Sequence, residues 1–229
     1  MKLSTNTINI LKNFSQICQG IVIFPGGELK TKNESESIFA VAKVEETFGK
    51  EFAIYDLSEF LSVMSLFTEP ELHFEEKFLT ISDEKAVASY FYGEKLAIKH
   101  PNQNDRIPKR NTCIKFNWSS EDFQKMMKTC AVMKLDHISI QKEGIKGYIH
   151  ANNNPIQNSV PESHGYFMNI ANVEYSQDVN VPIVFDVEML KLLPNDYVVE
   201  ICELQPNMYV GFFTSSDESL TYTITLSAG

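Results

Sequence analysis

Four segments of the chain place apolar residues three or four positions apart, which is the spacing of one face of an α-helix. They run from Ser4 to Cys18, onward from Asp56, onward from Ser119, and from Asp186 to Leu193. Serine and aspartate suit the position before a helix because their side chains accept hydrogen bonds from its first free amides. The pattern therefore predicts four helices, two in each half of the chain.

Most of the remaining residues alternate between apolar and polar, as half-buried antiparallel strands do. Six such strands are predicted in the first half of the chain and seven in the second. They include the segments Ala86–Tyr92 and Gly165–Ala171. The pair Gly26-Gly27 lies between predicted strands and is interpreted as a turn, since glycine adopts the backbone angles that tight turns need.

A polar run with two prolines divides the chain. Residues 101–111 of this run are predicted to connect a domain at 1–100 with a domain at 112–229. Both sides have the order helix, strands, helix, strands, and Tyr55-Asp56-Leu57 echoes Phe185-Asp186-Val187 at the second helix of each. A repeated order of elements indicates internal duplication. The sequence thus predicts an α+β protein of two similar domains, each with two helices packed on an antiparallel β-sheet.

The composition is that of an ordinary globular protein, with 229 residues of which 43% are hydrophobic and 22% charged. No uninterrupted apolar run approaches the roughly 20 residues that span a membrane, so no membrane partner is expected. The N-terminus shows no hydrophobic stretch of the signal-peptide kind. Four cysteines lie far apart without paired spacing, which is typical of reduced thiols in a cytosol, and we expect a cytoplasmic location.

Motifs for catalysis or cofactor binding are missing from the sequence. It contains no phosphate-binding loop, no dinucleotide-binding glycine pattern, no nucleophile elbow, and no histidine or cysteine pairs with metal-ligand spacing. Asp56 and Asp186 could be imagined as a catalytic pair, but both precede apolar periodic runs and are better explained as helix caps. We therefore predict no catalytic residues, no metal and no cofactor, and keep an enzyme with an unrecognised site as an alternative.

The charge is acidic, since 30 acidic against 20 basic residues give −10, and 18 of the 20 bases are lysine. Most of such a surface repels nucleic acid, so DNA binding would need a local basic patch. Candidate lysines lie on the polar sides of the predicted helices or just beyond them. They are Lys12, Lys125, Lys128, Lys134 and Lys191. Lys125 and Lys128 share one helix face by their spacing. The alternative is that all of these belong to ordinary solvated faces.

Eight short segments share a pattern with one known family. In chain order they are Met1–Ser4, Leu11–Phe14, Gly20-Ile21, Ala53–Leu57, Phe60-Leu61, Ser65-Leu66, Glu121–Gln124 and Leu135–Ile138. Together they resemble the sliding clamps of T-even-type bacteriophages. These segments are collinear across most of the chain, and their residues are structural rather than catalytic.

The resemblance implies a DNA polymerase processivity factor with the DNA-clamp fold, in which a head-to-tail homotrimer encircles double-stranded DNA. Helices would line the hole, and antiparallel sheets would form the outside. The implied partners are the C-terminal peptide of the replicative DNA polymerase, an ATP-driven clamp loader and RNA polymerase sigma-like factors of late transcription. The setting would be the cytoplasm of an infected bacterial host cell. A β-rich phage adaptor or structural protein that is not a clamp is the other alternative.

The resemblance also implies roles for individual residues. The residues expected to face DNA are Lys2, Lys12, Lys125, Lys128, Lys134 and Lys191. The residues expected at the subunit interface, on two strands that would pair between copies, are Ala88, Tyr90, Tyr92, Tyr166, Met168 and Ile170. The residues expected to line a partner-peptide pocket near the connector are Phe39, Val41, Ile107, Pro108 and Tyr222. For the two strands, the alternative is that both are ordinary internal strands.

Overall fold

The computed structural model describes residues 1–143, 146–153, 164–176, 182–205 and 208–228. The chain divides into two compact units, Met1–Asp105 and Arg106–Gly229, and the division falls within the predicted connector. Among the described residues, no helix is long and apolar enough to cross a membrane. Each unit combines α-helix with antiparallel sheet, which confirms the predicted α+β class.

The first unit contains two helices and seven strands. In chain order its elements are α1 (Thr5–Ile17), β1 (Ile21–Ile23), β2 (Gly26–Lys32), β3 (Ile38–Phe48), β4 (Phe52–Ile54), α2 (Leu57–Met64), β5 (Glu71–Phe74), β6 (Phe78–Ser82) and β7 (Val87–Phe91), followed by a 3-10 turn at Lys95–Ala97. Strand β1 pairs with β4, β2 with β3, and β6 with both β5 and β7, all antiparallel. The two helices pack against each other, and α1 also packs on β3.

The second unit has one α-helix and nine strands among its described residues. In chain order its elements are β8 (Thr112–Trp118), α3 (Ser120–Met133), β9 (His137–Glu143), β10 (Lys146–Asn152), β11 (Tyr166–Ile170), β12 (Glu174–Tyr175), β13 (Ile183–Asp186), a 3-10 turn (Val187–Met189), β14 (Tyr197–Gln205), β15 (Met208–Ser215) and β16 (Leu220–Ala228). Its sheet has the order β11-β10-β9-β13-β16-β15-β14-β8-β12. The aromatic side chains of Trp118, Phe123 and Phe213 pack together beneath α3.

The predicted starts of the first three helices are confirmed, because each start has the side-chain cap that its sequence indicates. The caps are Ser4, Asp56 and Ser119. Each side chain accepts a hydrogen bond from the backbone amide three residues further on, at 3.2, 2.8 and 3.1 Å respectively. Capping is a local interaction, so the sequence alone could locate it.

The predicted fourth helix is wrong. Only Val187–Met189 forms a 3-10 turn, and the side chain of Asp186 does not cap it. Instead, the Asp186 carboxylate lies 3.0 Å from Nδ1 of His137 on the neighbouring strand β9. Leu190 and Leu192 are both buried, but the residues from Leu190 to Leu193 form no helix. Within its described residues, the second unit therefore has one α-helix and a 3-10 turn where two helices were expected.

Three strands have no counterpart in the predicted pattern, namely β2, β8 and β12. The pair Gly26-Gly27 opens β2 instead of forming a turn. Gly26 has a φ of 121°, which glycine adopts without strain, and the register with β3 shifts between Gly26 and Glu28. The glycine pair therefore belongs to a β-bulge, a feature with the same residue preference as a tight turn.

The two units share an arrangement around their helices. In the first unit, β1 follows α1 and pairs with β4, the strand that precedes α2. In the second unit, β9 follows α3 and pairs with β13, the strand that precedes the 3-10 turn. This order agrees with the predicted internal duplication, with the 3-10 turn standing in the place of a second helix.

A buried carboxylate on β3 holds the start of α1. The side chain of Glu46 accepts hydrogen bonds from the Ser4 amide and from the Thr7 hydroxyl, the latter at 2.5 Å. Burial raises the pKa of Glu46, but these hydrogen bonds outweigh burial, and the pKa lies below its ordinary value of 4.5. The ionised carboxylate therefore stabilises the folded first unit.

Stability from a lowered pKa is present above the unfolded-state pKa and is lost as the pH falls through the folded-state pKa. We therefore expect Glu46→Gln to lower the free energy of unfolding by about 1–3 kcal/mol at pH 7. The difference from the unchanged protein should shrink below about pH 4.5. Urea unfolding followed by circular dichroism from neutral to acid pH measures it. The exposed neighbour provides the control variant Glu45→Gln, and an equal loss in both variants would contradict the role of Glu46.

Candidate nucleic-acid interface

The solvent side of helix α1 is polar and carries a positive charge. The buried side consists of Thr7, Ile10, Leu11, Asn13, Phe14 and Ile17. Lys12 is exposed on the other side, and the helix contains no aspartate or glutamate. Within the described residues, Lys12 has no ion-pair partner. The charge of Lys12 is therefore available to a ligand.

Helix α3 presents two lysines about one turn apart. Phe123, Met126 and Cys130 are its buried residues. Lys125 and Lys128 are exposed and point away from that buried side, as their helical spacing requires. Neither forms an ion pair in the part of the chain that the structure describes.

The other three predicted DNA-facing lysines are also exposed, but their surroundings differ. Lys134 ends α3 with a φ of 54° and has no ion-pair partner in the described ranges. Lys2 forms ion pairs with Glu69 (3.0 Å) and Glu71 (3.7 Å), and the hydrogen bond to Glu69 raises the pKa of Lys2. Lys191 lies just after the 3-10 turn. The charge of Lys2 is thus balanced by two carboxylates, whereas that of Lys134 is not.

Carboxylates neutralise several lysines outside the helices. Lys32 and Lys99 both pair with Glu36, at 3.1 and 2.7 Å, and these bonds lower the pKa of Glu36. Helix α2 carries Glu59 and no basic residue. Among the described helices, lysines without an ion pair are therefore found on α1 and α3, although α3 also carries Glu121 and Asp122 in its first turn.

Strand β7 lies at an edge of its sheet and pairs only with β6 among the described residues. The predicted interface residues Ala88, Tyr90 and Tyr92 are half-buried. The ring of Tyr90 packs on Phe60 of α2 at 5.3 Å, and that of Tyr92 packs on Phe52 at 5.5 Å. Burial raises the pKa of both tyrosines to about 12. Their rings thus face their own unit, and the edge that they flank is open.

The opposite side of β7 carries exposed apolar residues that the sequence prediction missed. Val87 and Phe91 expose 69% and 70% of their surface. The ring of Phe91 contacts Phe78 on β6 at 5.5 Å. Alternation along the strand is visible in the sequence, but it does not say which side meets the core.

Strand β11 is the corresponding edge of the second unit and pairs only with β10 among the described residues. The predicted residues Tyr166, Met168 and Ile170 are half-buried, while Phe167 exposes 51% of its surface. The Phe167 ring stacks on His150 of β10, with centroids 3.9 Å and planes 6° apart. Burial lowers the pKa of His150, which keeps the stacked imidazole neutral at pH 7.

The predicted pocket residues do not come together within either unit. Phe39 (buried) and Val41 (half-buried) belong to the first unit, whereas Ile107, Pro108 (both exposed) and Tyr222 belong to the second. The structure contradicts the prediction at Tyr222. This side chain is fully buried, its hydroxyl accepts a hydrogen bond from the Leu193 amide (3.2 Å), and burial raises its pKa. No part of Tyr222 is left for a docked peptide to contact.

A structural comparison identifies the class of protein that this fold defines. The proliferating cellular nuclear antigen of Entamoeba histolytica superposes with a TM-score of 0.66 at 11% identity, over 96% of this chain and 94% of that chain. The fold is therefore the DNA-clamp fold predicted from the sequence.

Sequence comparisons identify the family. Residues 2–99 match the family model described as DNA polymerase processivity factor. The sliding clamp of Vibrio phage KVP40 is 30% identical over 231 residues, which cover all of both chains. The sliding clamp of Escherichia phage RB69 is 26% identical over 100% of this chain and 97% of its own. The chain belongs to the phage sliding-clamp family.

Membership of this family defines the general function of the protein. The protein is a sliding clamp, a DNA polymerase processivity factor of phage replication. Its partner is accordingly a DNA polymerase. The comparisons do not favour the adaptor or the enzyme alternative, and the family, whose members are processivity factors without catalysis, points to a non-enzyme.

Proposed function

We propose that three copies of the chain form a closed ring in which β7 of one copy pairs with β11 of the next. Each of these strands offers an unpaired row of backbone groups within the described residues, and an open edge of this kind is a template for another strand. Pairing between two different edges is head-to-tail, and such contacts close into a ring when the rotation between copies permits it. The contact would cover Val87 and Phe91 on one copy and Phe167 on the other.

The lysine-bearing faces of α1 and α3 would line the hole and meet the phosphates of double-stranded DNA. Lys12, Lys125, Lys128 and Lys134 would contribute most, because none of them forms an ion pair among the described residues. Lys2 would contribute less because of its two carboxylate partners, and Lys191 completes the set. Contacts to phosphates carry no base specificity, so they permit sliding along any sequence.

The net negative charge of the chain explains why the ring would have to close around DNA. A net charge of −10 per chain gives −30 for three copies. A surface of that sign repels DNA from the outside of the ring. Retention would therefore be topological, and an ATP-driven clamp loader would open the ring and close it around the duplex.

Partner proteins would bind near the connector. The C-terminal peptide of the polymerase would contact Ile107 and Pro108, which are exposed at the start of the second unit. RNA polymerase sigma-like factors of late transcription would use the same ring as a tether. All of this would take place in the cytoplasm of the infected bacterial cell.

The full-length identity of 30% to a phage sliding clamp is the observation that carries this proposal. The test is primer extension on primed circular single-stranded DNA with the cognate polymerase, clamp loader and ATP. We expect long products only when clamp, loader and ATP are all present. Product lengths that do not depend on the clamp would favour an adaptor and would overturn the proposed tethering role.

A further inference from the structure

A lysine on β2 is buried, although lysine side chains are ordinarily exposed. The Lys30 side chain exposes only 3% of its surface. Leu29 and Thr31, its neighbours on the strand, are buried as well. An ammonium group removed from water needs close hydrogen-bond acceptors to offset the lost hydration. The hydrogen-bond acceptors around Lys30 Nζ therefore indicate the role of this side chain.

The acceptors around Lys30 are main-chain carbonyls of the connector. Nζ donates a hydrogen bond to the carbonyl oxygen of Gln103 and, at 3.4 Å, to that of Asp105. The carboxylate of Glu28 lies 3.8 Å away and balances the charge. Lys30 thus reaches from β2 to main chain more than 70 residues further along the sequence.

The part of the connector that Lys30 holds is a turn with its own hydrogen bonds. The Asn102 amide donates to the Asp105 carboxylate at 2.8 Å, and the Asp105 amide donates to the Asn102 carbonyl at 3.1 Å. The bond from the Asn102 amide is the main reason that the pKa of Asp105 is lowered. The Gln103 side chain also donates to the Pro25 carbonyl at 3.2 Å. The turn is therefore attached to the first unit both by Lys30 and by Gln103.

A second lysine holds the other end of the connector on the second unit. Lys109 Nζ forms an ion pair with Glu200 on β14. It also lies 3.4 Å from Oγ1 of Thr214 and 5.5 Å from the centroid of the Phe212 ring, both on β15. Residues 106–108 lie between the two lysine contacts, and all three are exposed.

We infer that Lys30 is a positioning residue that fixes the path of the first turn of the connector. That turn leads directly into the exposed residues 106–108. The inference concerns the connector of a single chain, so its test is independent of ring formation and of DNA binding.

Limited trypsin digestion tests the inference, because Arg106, Lys109 and Arg110 place three cleavage sites in the connector. The variant Lys30→Met keeps a long side chain and removes the ammonium. We expect cleavage within residues 106–110 to become about tenfold faster, because the turn opens more often. Amide hydrogen exchange in β2 and β3 should stay within about twofold of that in the unchanged protein.

The matched control is Lys43→Met, which removes an exposed lysine from β3 of the same hairpin. It should leave cleavage of the connector unchanged. Equal digestion rates in the two variants would overturn the inference. So would a loss of protection throughout β2 and β3 in Lys30→Met, because that outcome would make Lys30 a residue of the core alone.

A second measurement leaves Lys30 in place. Acylation of the unchanged protein with an N-hydroxysuccinimide ester, read by mass spectrometry, should modify Lys30 about tenfold more slowly than Lys43. The variant Asp105→Ala removes the carboxylate that holds the turn and should raise the reactivity of Lys30 selectively. Equal reactivity of the two lysines in the unchanged protein, or no response to Asp105→Ala, would overturn the inference.

Discussion

A chain carrying both Lys125→Glu and Lys128→Glu should lose most of its stimulation of primer extension at physiological salt, by about tenfold or more. The two side chains are exposed on α3, so the substitutions reverse charge without disturbing the core. In a ring of three copies, six lysines would become six glutamates facing phosphate. Because each lost phosphate contact reduces the salt dependence of binding, the loss relative to the unchanged protein should be larger at about 50 mM salt than at 200 mM.

The control for this prediction is the double variant Lys43→Glu with Lys115→Glu. It changes the net charge by the same amount at exposed positions on β3 and β8. Product length against salt concentration should be nearly that of the unchanged protein. A loss as large as that of the α3 variant would assign the effect to net charge, and full activity of the α3 variant would contradict the proposed lining of the hole.

A second large effect is expected at the sheet edge, where Phe91→Asp should dissociate the ring. Covering a phenylalanine contributes about 1.5–3 kcal/mol per contact, and an aspartate in the same place would be buried without a partner. Light scattering across a concentration series measures the mass. The unchanged protein should approach 78 kDa, three times the chain mass of 26.1 kDa, and dissociate on dilution. The variant should remain near 26.1 kDa.

Leu96→Asp provides the matched control, because Leu96 is 99% exposed and lies outside the strands. This variant should keep the mass of the unchanged protein. An unchanged protein that stays at the mass of one chain at high concentration would contradict the ring itself. A trimeric Phe91→Asp variant would instead place the subunit contact away from β7.

Local interactions explain which parts of the fold could be predicted. Ser4, Asp56 and Ser119 accept hydrogen bonds from amides three residues away, so the helix starts are encoded within a few residues of sequence. The fourth helix was predicted wrongly, and its expected cap is absent. The Asp186 carboxylate lies against His137, a residue distant in the sequence, and such a contact has no local signal.

For the candidate site, too, the sequence could predict some features and not others. Collinear segments in the sequence identified the family, and helical spacing placed Lys125 and Lys128 on one exposed face. Ion pairing could not be read from the sequence, because the carboxylates of Glu69 and Glu71 reach Lys2 only through the folding of the chain. The same holds for Lys30, whose acceptors lie more than 70 residues away.

The sequence by itself determined the α+β class, the starts of three helices and the exposed lysines of α1 and α3, because periodicity and capping depend on neighbouring residues. The tertiary structure alone decided which side of β7 faces solvent, which lysines are neutralised, and that Tyr222 is buried. Each of these depends on contacts between residues far apart in the chain. The sequence pattern shows that side chains alternate between the two sides of a strand. Only packing against the rest of the protein decides which of those sides is buried.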